Sequence, residues 1–277
     1  MTIREITEKL LSAGIEEAAF EASLLVEHFM KVSRAKILAD GRDADYPSDA
    51  LETAVEKRCA RYPLQYIIGK WEFCGLEFEV NENCLIPRPD TEIIVEEAVK
   101  NLRNGGRYLD LCTGSGCIAA AVLSLTSGTS GYAIELYPET AALAEKNINS
   151  LGFGTRCTVI TGDATTDLFP NGEKFRVITA NPPYITSDEM KTLEPELASE
   201  PVHALTDGSD GLSIIRGIVR SYKDHLADDG VMIIEHGSSQ AEALSSIAAE
   251  HDMEYSCLMD YGKNCRGAVL KHRRTAI

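Results

Sequence analysis

The strongest constraint on the fold is an alternation of strand and helix patterns that starts near residue 90 and continues through most of the chain. Short apolar runs typical of buried strands alternate with stretches of helical periodicity at 117–125 and 138–149. Because strands that alternate with helices form mostly parallel sheets covered on both faces, the pattern predicts an α/β, Rossmann-like domain over 90–277. The predicted strands are 108–111, 132–136, 158–160, 176–180, 231–235 and 268–271.

Two shorter segments precede that domain. Residues 1–63 have helical periodicity, and Ser33 and Ser48 stand at positions typical of N-caps. The first helix would bury one face, formed by Ile3, Ile6, Leu10 and Leu11. In 64–89 apolar and charged residues alternate on both sides of Cys74-Gly75, which indicates a β-hairpin. We therefore expect a small helical domain that a hairpin joins to the larger one.

Composition argues against several classes of protein. A net charge of −16 disfavours a protein that grips many phosphates, so no stable nucleic-acid binding is expected. The eight cysteines include no C-x-x-C and no Cys/His cluster, which predicts free thiols and no metal site. No leader peptide or membrane-length apolar run is evident, so a cytoplasmic protein, away from membranes, is expected.

A glycine-rich turn follows the first predicted strand of the large domain. Such a turn lets the backbone approach a ligand closely and aims amide N–H groups at it. Glu135 ends the next strand, where a carboxylate can accept both ribose hydroxyl protons, and Asp163 after the third suits an adenine amino group. The turn also fits the dinucleotide fingerprint, so it predicts a nucleoside cofactor without deciding which, and a ligand-free turn stays open. Its residues are Asp110, Leu111, Cys112, Thr113, Gly114, Ser115 and Gly116.

The tetrapeptide Asn181-Pro182-Pro183-Tyr184 follows the fourth predicted strand, at the sheet edge where open α/β folds place ligands. The prolines carry no N–H and hold Asn181 extended, so the loop is rigid and rich in acceptors. The Asn181 side-chain oxygen and the Pro182 carbonyl suit the two protons of a planar –NH2 group, and Tyr184 offers a flat surface. The alternative is a turn that the prolines merely stiffen.

Several segments together resemble the bacterial protein-glutamine N(5)-methyltransferases that act on peptide chain release factors (the HemK/PrmC type). The resemblance covers nearly the whole chain and is most specific at Pro87-Arg88-Pro89-Asp90-Thr91-Glu92. Many members carry glycine where Cys112 stands. The other matching segments are Leu64-Gln65-Tyr66-Ile67-Ile68-Gly69, Trp71-Glu72-Phe73, the glycine turn, residues 181–184, Glu235-His236-Gly237 and Asp260-Tyr261-Gly262.

The resemblance implies a seven-stranded class I methyltransferase domain and an N-terminal helical domain that helps dock the release factor. It implies S-adenosyl-L-methionine as cofactor and S-adenosyl-L-homocysteine as product, and a monomer is expected. The cofactor would contact Asp110, residues 112–116, Glu135, Asp163, Ala164 and Asn181. Asn181, Pro182, Pro183 and Tyr184 would hold the glutamine of a Gly-Gly-Gln motif. Arg88 either steers the substrate or pairs with a nearby carboxylate.

Three other functions fit parts of the pattern. An adenine-N6 methyltransferase on DNA or RNA is the main alternative, because an adenine amine is also planar and such enzymes use similar loops. A nicotinamide-dependent oxidoreductase would use the same glycine turn and acidic residue. A binding protein without activity would hold the cofactor and transfer nothing. The negative charge and the segment 87–92 favour the glutamine methyltransferase.

Overall fold

The computed structural model describes residues 1–169 and 172–273. The chain divides into two compact units. One comprises Met1–Lys70 together with Glu194–Ser199, and the other comprises Trp71–Leu193 and Glu200–Ile277. Each unit has its own hydrophobic core.

The first unit is helical, as the sequence predicts. Ser33 and Ser48 accept hydrogen bonds from backbone N–H groups three residues on, so both are N-caps. Ile3, Ile6 and Leu10 are buried in the core, but Leu11 is 55% exposed, so the prediction that it shares the buried face is wrong. The helices are α1 (Ile3–Ser12), α2 (Ala18–Met30), α3 (Arg34–Asp40), α4 (Asp49–Cys59) and α5 (Leu64–Ile68).

Helix α5 lies where the sequence indicates the start of the hairpin segment. Leu64 is buried in the helical core, and Ile67 and Ile68 pack against it, which favours a helical turn over an extended strand. The hairpin itself is shorter and consists of β1 (Lys70–Phe73) and β2 (Leu76–Glu79). Phe73 and Phe78 belong to the core of the second unit, so the hairpin strands pack there.

A buried ion cluster holds Glu194–Ser199 to the helices of the first unit. The guanidinium of Arg58 is 6% exposed and donates to both carboxylate oxygens of Glu21, at 2.6 and 3.1 Å. It also donates to Glu196 at 3.0 Å, and Arg61 donates to the same carboxylate at 2.9 Å. Sequence patterns give no sign of this pairing, because Glu196 is separated from Arg58 by 138 residues.

The second unit is a seven-stranded sheet flanked by helices, which confirms the predicted fold class. Strand order is β5-β4-β3-β6-β7-β9-β8, with β9 antiparallel to both neighbours. Its strands are β3 (Gly106–Leu111), β4 (Thr129–Glu135), β5 (Cys157–Thr161), β6 (Phe175–Ala180), β7 (Leu226–Glu235), β8 (Met253–Met259) and β9 (Cys265–His272). Its helices are α6 (Glu92–Asn101), α7 (Cys117–Leu125), α8 (Pro138–Ser150), α9 (Val202–Leu205), α10 (Ser213–Tyr222) and α11 (Ala241–Glu250).

The strand order reverses between β3 and β6, and ligands of open α/β sheets bind at such a point. In the parallel register Leu111 lies opposite both Ile134 and Ala180, while Ala180 lies opposite Ile234. Cys112 and Asn181 directly follow β3 and β6, and Glu135 and Glu235 end β4 and β7, so all four lie at one level of the same sheet edge. This register brings together the glycine turn, the acidic residue of β4 and the proline loop.

Two features of the C-terminal part differ from the sequence prediction. Strand β8 was not predicted, since its pattern of exposed and half-buried residues is not that of a buried parallel strand. Cys257 and Cys265, which lie on β8 and β9 with their Cα atoms 5.8 Å apart, form a disulfide. The prediction that all cysteines are free thiols is wrong for this pair, because antiparallel pairing brings the two side chains together.

No helix in 1–169 or 172–273 is long and apolar enough to cross a membrane.

Candidate active site

A cavity of about 360 Å³ lies at the carboxyl ends of β3, β4 and β6. It lies in the second unit, and its lining includes the glycine turn with its acidic partners, the segment before α6, the proline loop and the region around α9. The predicted site residues among its lining are Arg88, Cys112, Thr113, Gly114, Ser115, Glu135, Asp163, Ala164, Asn181 and Pro183. Asp110, Gly116, Pro182 and Tyr184 were also predicted at the site but do not line the cavity.

The glycine turn adopts left-handed backbone conformations at three positions. Gly114 and Gly116 have φ of 56° and 80°, values that favour glycine. Cys112 has φ of 56°, which is uncommon for a residue with a Cβ. Glycine would adopt this conformation without the strain that a Cβ causes. A Cβ on Gly116 would lie 3.3 Å from the Ala144 carbonyl oxygen, so the turn also packs closely against α8.

Asp110 stabilises the glycine turn through a hydrogen bond from Thr113, and it does not line the cavity. Its carboxylate is fully buried and accepts hydrogen bonds from Thr113 at 2.5 Å and Thr179 at 2.6 Å. Tyr108 extends this network, with its hydroxyl oxygen 2.6 Å from that of Thr179. Burial raises the pKa of Asp110 to about 6, although the two threonine hydroxyls oppose the shift. The position of Asp110 thus differs from the cofactor contact that the sequence indicates.

Glu135 and Asp163 face the cavity from neighbouring strand ends. The carboxylate of Glu135 accepts the N–H of Gly114 at 3.0 Å and that of Tyr137 at 3.2 Å, one on each oxygen. Burial raises the pKa of Glu135, and the hydrogen bonds from these amides oppose that rise. Since each carboxylate oxygen has two lone pairs, both oxygens keep a second site for a hydroxyl donor. Asp163 uses Oδ1 for the N–H and the hydroxyl of Thr165, at 2.8 and 2.7 Å.

The proline loop is held at both ends of its tetrapeptide. Asn181 lines the cavity, and its Nδ2 donates to Oγ1 of Thr91 at 3.4 Å. The hydroxyl of Tyr184 donates to Oε1 of Glu235 at 3.0 Å, and the Tyr184 carbonyl accepts from Nε2 of Gln240 at 3.0 Å. A Cβ at Gly211 would lie 2.1 Å from that carbonyl oxygen, so only glycine fits there. These contacts give the loop a defined position beside the cavity.

Arg88 lines the cavity and pairs with a buried carboxylate. One guanidinium nitrogen donates to Oε1 of Glu200, whose side chain is 1% exposed. The other oxygen of Glu200 accepts the backbone N–H of Ile86 at 3.0 Å. The Arg88 side chain is 36% exposed. Arg88 therefore pairs with a carboxylate, which was one of the two roles expected for it, and its side chain is still accessible at the cavity.

Some residues of the site carry no sequence motif. The rings of Tyr137 and His203 stack with centroids 3.6 Å apart at one wall of the cavity, and burial lowers the pKa of His203. Glu235 was noted only as part of a matching segment, although its place at the end of β7 beside β6 could have indicated contact with the proline loop. His236 is fully buried and does not line the cavity, as expected for a structural histidine.

Curated relatives match nearly the full chain. A release factor glutamine methyltransferase of Geobacter sulfurreducens is 36% identical over 250 residues, which cover 88% of this chain and 87% of the relative. One of Thermodesulfovibrio yellowstonii is 34% identical over 253 residues, covering 89% and 88%. The chain belongs to the release factor glutamine methyltransferase family. The family model of the PrmC N-terminal domain matches residues 2–69, and that of conserved hypothetical protein 95 matches 67–204.

Solved structures support the same fold. The hMettl16 catalytic domain in complex with MAT2A 3'UTR hairpin 1 has a TM-score of 0.59 at 16% identity, covering 92% of this chain and 90% of that one. A ribosomal protein L11 methylase of Lactobacillus delbrueckii subsp. bulgaricus has a TM-score of 0.50 at 18% identity, covering 68% and 81%. At such identities the likeness shows the fold alone, which this chain shares with these two proteins.

Proposed function

We propose that this chain transfers a methyl group from S-adenosyl-L-methionine to the side-chain amide nitrogen of the glutamine in the Gly-Gly-Gln motif of peptide chain release factors. The observation that carries the proposal is the position of Asn181. Its side chain lines the same cavity as Cys112 to Ser115 and Glu135, because β3, β4 and β6 end at one level. A planar amide held by Asn181 would thus lie beside a nucleoside cofactor.

The residues of the cavity fit S-adenosyl-L-methionine. Glu135 keeps acceptor sites on both oxygens for the ribose hydroxyls, and Asp163 lies at the end of the adjacent strand for the adenine amino group. The small side chain of Ala164 lines the cavity next to Asp163 and leaves room for a flat base. When bound, the cofactor supplies an electrophilic methyl group on a sulfonium. The chain's task is to present the nucleophile in line with it.

The proline loop would present the substrate amide. An amide nitrogen is a weak nucleophile, because its lone pair is delocalised into the carbonyl group. Two acceptors, Oδ1 of Asn181 and the Pro182 carbonyl, would each accept a hydrogen bond from one N–H group of the substrate amide. These hydrogen bonds would favour tetrahedral geometry at the attacking nitrogen. Pro183 and the Tyr184 ring would confine the glutamine side chain. The proton lost from nitrogen would pass to water.

Substrate docking would involve groups outside the loop. Arg88 would donate to carbonyl groups of the peptide that flanks the glutamine, since Glu200 holds it and its side chain is 36% exposed. The helical unit, which matches the PrmC N-terminal domain, would bind the body of the release factor. The enzyme would act as a monomer in the cytoplasm, where release factors work. A net charge of −16 favours a protein substrate over nucleic acid.

The test is transfer to a purified release factor, followed by mass mapping of the modified residue. Wild-type protein with S-adenosyl-L-methionine should methylate the glutamine of Gly-Gly-Gln and no other residue. Asn181→Ala should lower the rate by about 10²–10³, the usual effect of losing a preorganised polar contact. Methylation of adenine in DNA or RNA, with none on the release factor, would overturn the proposal. Cofactor binding without transfer to any of these substrates would also overturn it.

A further inference from the structure

We propose that Thr91 is a positioning residue, whose hydroxyl orients the amide of Asn181 so that Oδ1 faces the substrate. This inference rests on the proposed function, in which Asn181 accepts a proton of the glutamine amide. An asparagine side chain can turn either its oxygen or its NH2 group toward a ligand. With its oxygen toward the substrate, Asn181 accepts a hydrogen bond from the substrate –NH2 group. With its NH2 group toward the substrate, two hydrogen-bond donors would face each other.

The first observation is that the Thr91 hydroxyl is not used by the helix it precedes. Thr91 stands at the N-cap position of α6, where a threonine side chain ordinarily accepts a backbone N–H. Here it makes no capping hydrogen bond. Thr91 is instead 2% exposed, lines the cavity, and accepts from Nδ2 of Asn181 at 3.4 Å.

The second observation is a buried carboxylate beside the same hydroxyl. Glu235 is 4% exposed, and burial raises its pKa, while its interactions with the side chains of Thr91 and Tyr184 lower it. Its Oε1 accepts from Tyr184, and its Oε2 makes no hydrogen bond to the described residues. The unused oxygen of this carboxyl group attracts the proton of the Thr91 hydroxyl. The lone pairs of Oγ1 are then left for the NH2 group of Asn181.

Charged side chains near Glu235 shift its pKa in opposite directions. Arg266 lowers the pKa of Glu235 by its positive charge, whereas Asp90 raises it. The guanidinium of Arg266 also approaches Asp90 at 3.3 Å and Asp260 at 3.8 Å, so it is held in place. Glu235 therefore orients the Thr91 hydroxyl, which in turn orients the Asn181 amide that would hold the substrate. Thr91 acts only through Asn181 and takes no part in the bond changes.

Two substitutions at this position separate the hydroxyl from the packing of the side chain. Thr91→Val keeps the shape and removes the hydroxyl, whereas Thr91→Ser keeps the hydroxyl and removes a methyl group. Without its acceptor, the NH2 group of Asn181 turns toward the cavity to avoid an unsatisfied buried donor. We expect kcat for the release factor to fall about ten- to a hundredfold in Thr91→Val, and to stay within about threefold of wild type in Thr91→Ser.

The experiment measures kcat and KM with a purified release factor, and the Kd for S-adenosyl-L-homocysteine, for all three proteins. The loss in Thr91→Val should lie in kcat, with the Kd within about twofold of wild type. If Thr91→Val keeps its kcat, or if Thr91→Ser loses as much as Thr91→Val, the positioning role is wrong. Absence of transfer by wild type would instead contradict the proposed function, so the two failures are distinguishable.

Discussion

The hydroxyl of Tyr184 donates a 3.0 Å hydrogen bond to Oε1 of Glu235, which joins the end of the proline loop to the strand beside it. Tyr184 follows β6 and Glu235 ends β7, and the register of these strands brings their ends together. The carboxylate is buried, so the hydroxyl is one of the few groups that favour its charged form. The aromatic ring that we propose to pack on the substrate is thus held by its hydroxyl group.

Tyr184→Phe should therefore lower the rate of transfer and change its pH dependence. Losing a hydrogen bond to a charged group costs about 1.5–3 kcal/mol, and we expect a fall in kcat of about tenfold. Because this bond lowers the pKa of Glu235, its removal raises that pKa. The acidic limb of the kcat profile should move to higher pH. Tyr261→Phe is the matched control, since Tyr261 is 68% exposed and donates to Glu96 away from the cavity. An unchanged profile in Tyr184→Phe would contradict the role of this bond.

Glu135→Gln should weaken cofactor binding. The substitution replaces one of the two carboxylate oxygens by a donor, which can accept neither a backbone N–H nor a ribose hydroxyl proton. Loss of charge-assisted hydrogen bonds worth about 1.5–3 kcal/mol raises Kd by about 10- to 100-fold. Calorimetric titration with S-adenosyl-L-homocysteine measures this change. Glu139→Gln, an exposed substitution in the first turn of α8, should leave the Kd as in wild type. A Kd in Glu135→Gln equal to that control would count against the proposed ribose contact.

Asp110→Asn should remove a pH-dependent contribution to stability. The pKa of Asp110 is about 6 in the folded protein, above the ordinary value of 3.8, so the folded state favours its protonated form. The stability that this group contributes is fully present below pH 3.8 and is lost as the pH rises through about 6, the pKa in the folded protein. Wild type should lose about 1–1.5 kcal/mol of unfolding free energy from this group between pH 5 and pH 8.

Urea denaturation of both proteins at several pH values tests that expectation. The difference in unfolding free energy, variant minus wild type, should grow more positive by about 1–1.5 kcal/mol between pH 5 and pH 8. The loss of hydrogen bonds from Thr113 and Thr179 adds an offset that does not depend on pH. A difference that stays constant over the range would show that Asp110 is already ionised at pH 5.

The backbone at Cys112 predicts an order of stability for two substitutions. Cys112→Ala and Cys112→Gly both remove the thiol, but only glycine adopts φ of 56° without strain from a Cβ. Cys112→Gly should be more stable than Cys112→Ala by about 1 kcal/mol in urea denaturation. The alanine variant serves as the control for loss of the sulfur. Equal stabilities would mean that the turn relaxes to a conformation that alanine tolerates.

Local patterns predicted those parts of the fold whose determinants are close together in the chain. The bounds of α7 agree with the predicted helix and those of α8 differ from it by one residue, since apolar periodicity and neighbouring turn residues are local signals. The N-caps at Ser33 and Ser48 are confirmed for the same reason. Strand β8 carries no such signal, because its burial depends on which strands lie beside it.

For the candidate site, the sequence by itself determined the chemical groups, and the tertiary structure decided which of them meet. The glycine turn, Glu135 and the proline loop are readable from residue type and spacing alone. Thr91 lies 90 residues from Asn181, and Tyr184 lies 51 residues from Glu235. Pairs so distant are set by strand order and register, which no local pattern specifies. The proline loop thus suggested the chemistry from its sequence, while the strands beside it decided which side chains hold it in place.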